Sequence, residues 1–246
     1  MATLSCPPPD PGLMAFRACL PDGTGNSPTA DRLCATGSEV QLRRGESLPP
    51  DPGEDRLVWI ASGSAKLVAA NPAAAATACG QVLAFHFAGD LVSVVRQSDG
   101  DFRLVALTPC ELVVFPAERF LDAAQGDPAV LRSVLTRSLQ ALHRSRTRMM
   151  QMGHKSAGAR IADFLVAMAE RLEGCTAGTC TIALPMSRRD IGDSLGLTIE
   201  TVSRQLTELR EAGLLATEGR SKVCLSDIAA LARIAGRNPS GEPAKN

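Results

Sequence analysis

Three textures of apolar and polar positions follow one another along the chain. Between residues 38 and 116, short apolar runs alternate with turn residues. They are Arg56–Ala61, then Ala65–Val68 after Ser62-Gly63-Ser64, then Gln81–Phe85, Phe102–Leu107 and Leu112–Phe115. Short runs rich in Val, Leu, Ile and Phe and punctuated in this way predict strands, and several at such spacing predict a small antiparallel barrel or jelly roll. The texture changes at Asp127-Pro128, where Asp suits an N-cap and Pro the first turn of a helix. Leu131, Leu135, Ser138, Leu142, Ser145, Met149 and Met152 then recur at alternating steps of four and three. This is a continuous heptad seam of the kind that meets a second helix; a helix packed on its own domain is the plainer alternative. Arg132, Arg137, Arg144, Arg146 and Arg148 decorate the same helix with no acid between them, the pattern of a solvated face or of a helix that repels its twin.

The third texture is shorter in period. Ala157–Leu172 carries Ile161, Phe164, Leu165, Met168 and Leu172 on one side of a helix, and Cys180–Leu184 reads as a short strand. From Met186 to Leu206 the pattern is of two short helices joined by a tight turn at Gly196, with Gly213 stopping the second. Leu214–Thr217 and Lys222–Leu225, turning at Glu218-Gly219-Arg220, predict a two-stranded wing. Residues 1–35, dense in Pro, Gly and Asp, read as a Cys-containing extension of little structure, and residues 237–246 as a disordered tail. The expected fold is α+β. It comprises an N-terminal antiparallel β-roll over 36–126, a long dimerisation helix over 127–153 and a C-terminal winged helix-turn-helix over 154–236.

Composition narrows the chemistry. The 26 basic and 26 acidic side chains cancel, so any basic footprint for a polyanion is local. No apolar run of about 18 residues spans a membrane, and no basic start and apolar core of a signal peptide opens the chain, so the cytoplasm is expected. There, eight cysteines are thiols, redox sensors or metal ligands rather than structural disulfides. No Ser-His-Asp order, P-loop or Gly-rich dinucleotide fingerprint is present, so an enzyme is not expected.

The two short helices are built to enter a major groove. Thr198 caps the second, whose first turn presents Glu200, Ser203 and Arg204. Glu200 can accept from a cytosine amino group, Arg204 can fork onto guanine O6 and N7, and Ser203 can touch a base edge or a thymine methyl. Arg188, Thr198 and Thr201 lie where phosphate contacts fix register. Taken alone, Glu200 and Arg204 could equally be a surface i,i+4 ion pair; the turn glycine, the cap and the wing favour double-stranded DNA.

With these residues in view, positions 155–225 resemble the DNA-binding domain of the CRP/FNR family of bacterial regulators, and most closely its FNR and FixK branches. The recognition pattern Glu-x-x-Ser-Arg falls on Glu200, Ser203 and Arg204, and Leu184-Pro185-Met186-Ser187-Arg188-Arg189-Asp190-Ile191-Gly192-Asp193 is similar to FixK. Upstream, Phe85-His86-Phe87-Ala88-Gly89-Asp90-Leu91-Val92 resembles the turn of the family's cyclic-nucleotide-binding-like β-roll. The resemblance implies a homodimer on a palindrome close to TTGAT-N4-ATCAA, with contact to RNA polymerase, acting as an activator in oxygen- or redox-linked control. Leu131, Leu135, Leu142, Met149 and Met152 would form the dimer seam.

The signal is less legible. Cyclic AMP is not expected. Asp90 follows Gly89, and Asp99-Gly100-Asp101-Phe102 stands where the cyclic-AMP branch carries an Arg-Ser pair, so acids face the expected phosphate. The FNR branch holds an iron–sulfur cluster on four cysteines. Cys6, Cys19, Cys34 and Cys110 are the candidate set here, spread wider than the FNR pattern, with Val113 at the position of the fourth FNR ligand. Core roles for Cys34 and Cys110 are the plainer alternative. Further alternatives are a small molecule in the β-roll, a thiol-redox sensor using Cys175 and Cys180, and a FixK-like regulator that needs no effector. His86 and His154 are weak metal or haem candidates; His86 fits an ordinary turn residue and His143 a solvated one.

Overall fold

The computed structural model describes residues 11–51, 53–69, 80–94, 102–219 and 221–237. The chain divides into two compact units, Met1–His143 and Arg144–Asn246. The first opens with two helices, α1 (Pro11–Ala18) and α2 (Pro28–Thr36). Seven strands follow: β1 (Ser38–Leu42), β2 (Arg56–Ser62), β3 (Ser64–Ala69), β4 (Gln81–Phe87), β5 (Leu91–Val94), β6 (Phe102–Ala106) and β7 (Cys110–Pro116). Helix α3 (Ala117–Ala124) leads to the long α4 (Pro128–His154), within which the boundary between the units falls. The expected start of α4 is met: Asp127 Oδ1 accepts from Ala129 N at 2.9 Å.

The strands form two antiparallel sheets, ordered β1-β7-β2-β5 and β4-β3-β6. Alternation along β2 and β7 explains their unbroken apolar runs, because both faces are covered. Val58, Ile60, Leu112 and Val114 point into the roll and pack with Leu42, Val92, Leu104 and Cys110. Trp59, Val113 and Phe115 point the other way and meet Phe16, Leu33, Phe120 and Val130. The stretch expected to be an extension is therefore, from Pro11 onward, two helices that roof this outer face. Ser27 caps α2, accepting from Ala30 N at 3.2 Å, with Pro28 at the first turn. The Pro and Gly density that suggests coil here supplies helix starts instead.

The family-like turn closes on itself. Asp90 Oδ2 accepts from Phe87 N at 3.0 Å and lies 3.4 Å from His86 Nδ1, so the acid braces the turn rather than facing a ligand. Gly89 has φ +87° and its carbonyl accepts from Arg137 of α4 at 2.7 Å. Arg137 is thus engaged with the roll, unlike the freely solvated arginine the sequence suggests. Asp99, Gly100 and Asp101, like Cys6 and residues 238–246 of the expected tail, lie outside the described residues.

The second unit continues with α5 (Ala157–Glu173), β8 (Cys180–Ala183), α6 (Arg188–Leu195), α7 (Ile199–Glu211), β9 (Leu215–Glu218), β10 (Lys222–Leu225) and α8 (Ile228–Ile234). The wing has three strands rather than two, ordered β8-β10-β9. Among the described residues, no helix is long and apolar enough to cross a membrane.

Candidate nucleic-acid interface

Local chemistry fixes each end of the helix pair. Ser187 and Asp190 form a reciprocal capping box at the start of α6. Gly196, at φ +65°, ends α6 in the left-handed region that a side chain disfavours, as the sequence predicts. Gly192 is needed for a different reason: a Cβ there would stand 2.6 Å from the Leu197 carbonyl, so the turn closes only over a bare α-carbon. Thr198 caps α7, its Oγ1 accepting from Thr201 N at 3.2 Å. Gly213 follows α7 at φ +71°, and Leu214 N reaches back to the Leu209 carbonyl at 3.0 Å.

Burial then sorts the side chains of α7. Val202 and Leu209 point inward with Ile191 and Leu195. Glu200 and Arg204 are exposed on the outward face, with Ser203 and Thr201 half-buried beside them. The ion pair formed is Arg204 with Glu208, at 3.7 Å, and not Arg204 with Glu200. Glu200 instead has a carboxyl held below the usual carboxylate range, by a hydrogen bond from its own backbone N–H and then by the Thr198 hydroxyl, with Arg189 adding a smaller pull. It is ionised and unpaired with a guanidinium, free to accept. Arg188, at the start of α6, donates from Nη1 to Ser203 Oγ at 3.3 Å, bridging the two helices on the outer face.

Two residues that pattern alone does not single out help to place this face. Arg160 of α5 donates from Nη1 to the Leu195 carbonyl at 2.9 Å, holding the last turn of α6. Met152, expected in the seam, is half-buried, and its sulfur would stand 3.5 Å from a Cβ on Gly196. Neither role is periodic, so neither shows in the sequence. His143 and His154 are exposed.

Residues 159–234 match the Crp-like helix-turn-helix domain. The nitrogen fixation regulation protein FixK of Bradyrhizobium diazoefficiens is 35% identical over 139 residues, which is 55% of this chain and 57% of that protein. The transcriptional activator protein FnrL of Cereibacter sphaeroides is 31% identical over 165 residues, 65% of this chain and 66% of that protein. Among solved structures, FixK2 from Bradyrhizobium japonicum superposes with a TM-score of 0.66 at 29% identity, covering 80% of this chain and 96% of that one.

The chain belongs to the CRP/FNR family. It spans 57–64% of the length of the FixK relatives and a related probable activator from Rhizobium leguminosarum. The family is one of transcription regulators rather than enzymes. As a member of this CRP/FNR family, the chain raises the question of a cluster, which its cysteines do not fit. Cys110 points into the roll, its thiol donating to the Ser64 carbonyl at 3.1 Å. Cys34 packs against the opposite, outer face of β7, where Val113 also lies. Burial pushes both thiols up, away from the thiolate that a metal takes. Cys19 is exposed, and among the described residues no three His, Cys, Asp or Glu side chains gather around a common point as a metal needs.

Proposed function

We propose that this chain is a transcription regulator that grips a two-fold DNA site as a homodimer. On this reading Glu200, Ser203 and Arg204 touch base edges, and Arg188, Thr198 and Thr201 touch phosphates. One observation carries it: a capped second helix presents an unpaired carboxylate and an exposed guanidinium one turn apart, beside a wing, in a helix-turn-helix of the Crp-like type. The named relatives include transcriptional activators, which supports activation through contact with RNA polymerase. FixK and FnrL names support a site of the TTGAT-N4-ATCAA kind and oxygen- or redox-linked control.

The test is fluorescence anisotropy with a duplex carrying TTGAT-N4-ATCAA against a scrambled one. Arg204→Ala should cost about 1–3 kcal/mol, roughly 5- to 150-fold, on the first duplex and little on the second. Equal affinity for the two duplexes, or an Arg204→Ala variant that binds as the parent does, overturns the reading.

A further inference from the structure

The loop between α5 and β8 carries chemistry that DNA reading does not use. Gly174, at φ +66°, ends α5, and Cys175 N closes the cap on the Ala169 carbonyl at 3.1 Å. Gly178, at φ +74°, turns the chain back, and its carbonyl accepts from Ile228 N of α8 at 3.0 Å. Two left-handed glycines in five residues fold the segment into a hairpin-like loop, which returns Cys180 to Cys175. The two thiols lie within hydrogen-bonding reach of each other. Cys175 is half-exposed at the loop surface, while Cys180 is buried under it as the first residue of β8. The third cysteine of this unit is not a competitor. Cys224 pairs in register with Thr181 and Leu225 with Cys180, so Cys224 and Cys180 point to opposite faces of the sheet.

We propose that Cys175 and Cys180 are a dithiol oxidation site for hydroperoxides, and that closing their disulfide loosens the grip of the helix-turn-helix on DNA. The Cys175 thiolate attacks the peroxide: an S–O bond forms, the O–O bond breaks, and the alcohol or water leaves with a proton. The Cys180 sulfur then attacks the resulting sulfenic acid. The S–S bond forms, the S–O bond breaks, and the Cys180 proton departs with hydroxide as water. Two thiols and one hydroperoxide thus yield one disulfide, one alcohol and one water. A thiol reductant reverses it by exchange. The path to DNA is short. Strand β8 runs from Cys180 to Leu184, whose N–H holds the Ser221 carbonyl beside the wing at 2.8 Å, and then through buried Met186 to the α6 cap at Ser187. Pulling the two sulfurs to bonding distance drags the first residue of that strand.

The second step sets a pH dependence. Burial, and then the neighbouring Cys175, push the Cys180 thiol up to about 11. Closure therefore accelerates as pH rises from neutrality, because the resolving sulfur must shed its proton. The operator-binding part rests on the function proposed above, whereas disulfide formation does not.

The sequence offers a clean measurement on the full chain. Trypsin cutting after Arg171 and Arg188 releases a peptide, Leu172–Arg188, that holds these two cysteines and no others. Protein is treated with hydrogen peroxide, its free thiols are blocked with iodoacetamide, and the digest is weighed. The expected peptide is two hydrogens lighter than the reduced form, carries no alkyl group, and regains both alkylation sites after dithiothreitol. In Cys180→Ala, Cys175 should stay as a sulfenic acid that dimedone traps. Oxidised full chain should bind the TTGAT-N4-ATCAA duplex at least about 5-fold more weakly, the low end of a coupling between two sites, and recover on reduction. A peptide still alkylated at both positions, or one oxidised at Cys175 with Cys180 alkylated, overturns the site. A disulfide that forms and leaves affinity unchanged overturns its effect on DNA. Should the reduced protein ignore the duplex, the DNA reading fails and the peptide alone judges the dithiol.

Discussion

Thr198 serves the recognition helix twice with one hydroxyl. It caps α7 through Thr201 N and, with the backbone, holds the Glu200 carboxyl in its ionised form. Both effects come from the exposed N–H groups of a first helical turn, which favour an acceptor and a negative charge. Losing the cap costs about 1 kcal/mol. Thr198→Ala should therefore lower the urea midpoint of the C-terminal unit modestly and weaken the operator complex, while Thr198→Ser should restore both. An Ala variant with unchanged unfolding would mean that the cap is not formed in solution. The base-reading residues were legible in the sequence because every determinant is local. A cap, a turn glycine and the i,i+4 spacing all lie within a dozen residues. Arg188 was legible only in part: its place at the surface follows from spacing, but its bond to Ser203 requires two helices to cross.

At the scale of elements, what sequence missed is what packing supplies. Helices α1 and α2 are 8 and 9 residues long, too short to persist without tertiary contacts. Their few apolar residues, Leu13, Phe16, Leu20 and Leu33, are scattered among prolines and glycines that read as coil. Only the outer face of the β2–β7 sheet reveals their purpose. Strand β1, Ser-Glu-Val-Gln-Leu, carries two apolar residues and is recognisable through its pairing with β7, 70 or so residues on; β8 likewise joins the wing through β10. Phe16 tests this view. Its ring is 4% exposed and sits 4.8 Å from Phe115, 5.6 Å from Trp59 and 6.2 Å from Phe120, centroid to centroid. Phe16→Ala should cost about 3–5 kcal/mol, a large part of the 5–15 kcal/mol that typically holds a domain together. Denaturant unfolding of the full chain, followed by Trp59 fluorescence, reads it directly. A loss within about 0.5 kcal/mol, the range of surface changes, would return these helices to the status of an appendage.

For the whole molecule the deciding feature is α4. Val130, 1% exposed, and half-buried Val134 turn toward the roll. The other side shows Leu135 at 57%, Leu139 at 56%, Leu142 at 45% and Met149 at 68% exposure, a stripe of large apolar residues along one helix. Leaving such a stripe in water forfeits about 25 cal/mol for each Å² that a partner could cover, and its four-three spacing matches a second helix of the same kind. The DNA argument asks for the same partner. A palindrome presents two identical half-sites, and only a two-fold dimer offers both recognition helices at once. A second α4 is therefore the occupant that both the seam and the operator require. Leu142→Arg places a charge at the middle of that seam, on a helix that already bears Arg137, Arg144 and Arg146 nearby with no acid to receive it. Sedimentation equilibrium should show the variant as a monomer where the parent is a dimer. Its affinity for the full palindrome should fall toward that of a single half-site, although α7 is untouched. Leu142→Met, which keeps volume and polarity, should remain dimeric and bind as the parent does. A Leu142→Arg protein that sediments as a dimer of undiminished strength would show that the partner contact lies on another face, and that the exposed stripe on α4 serves something else.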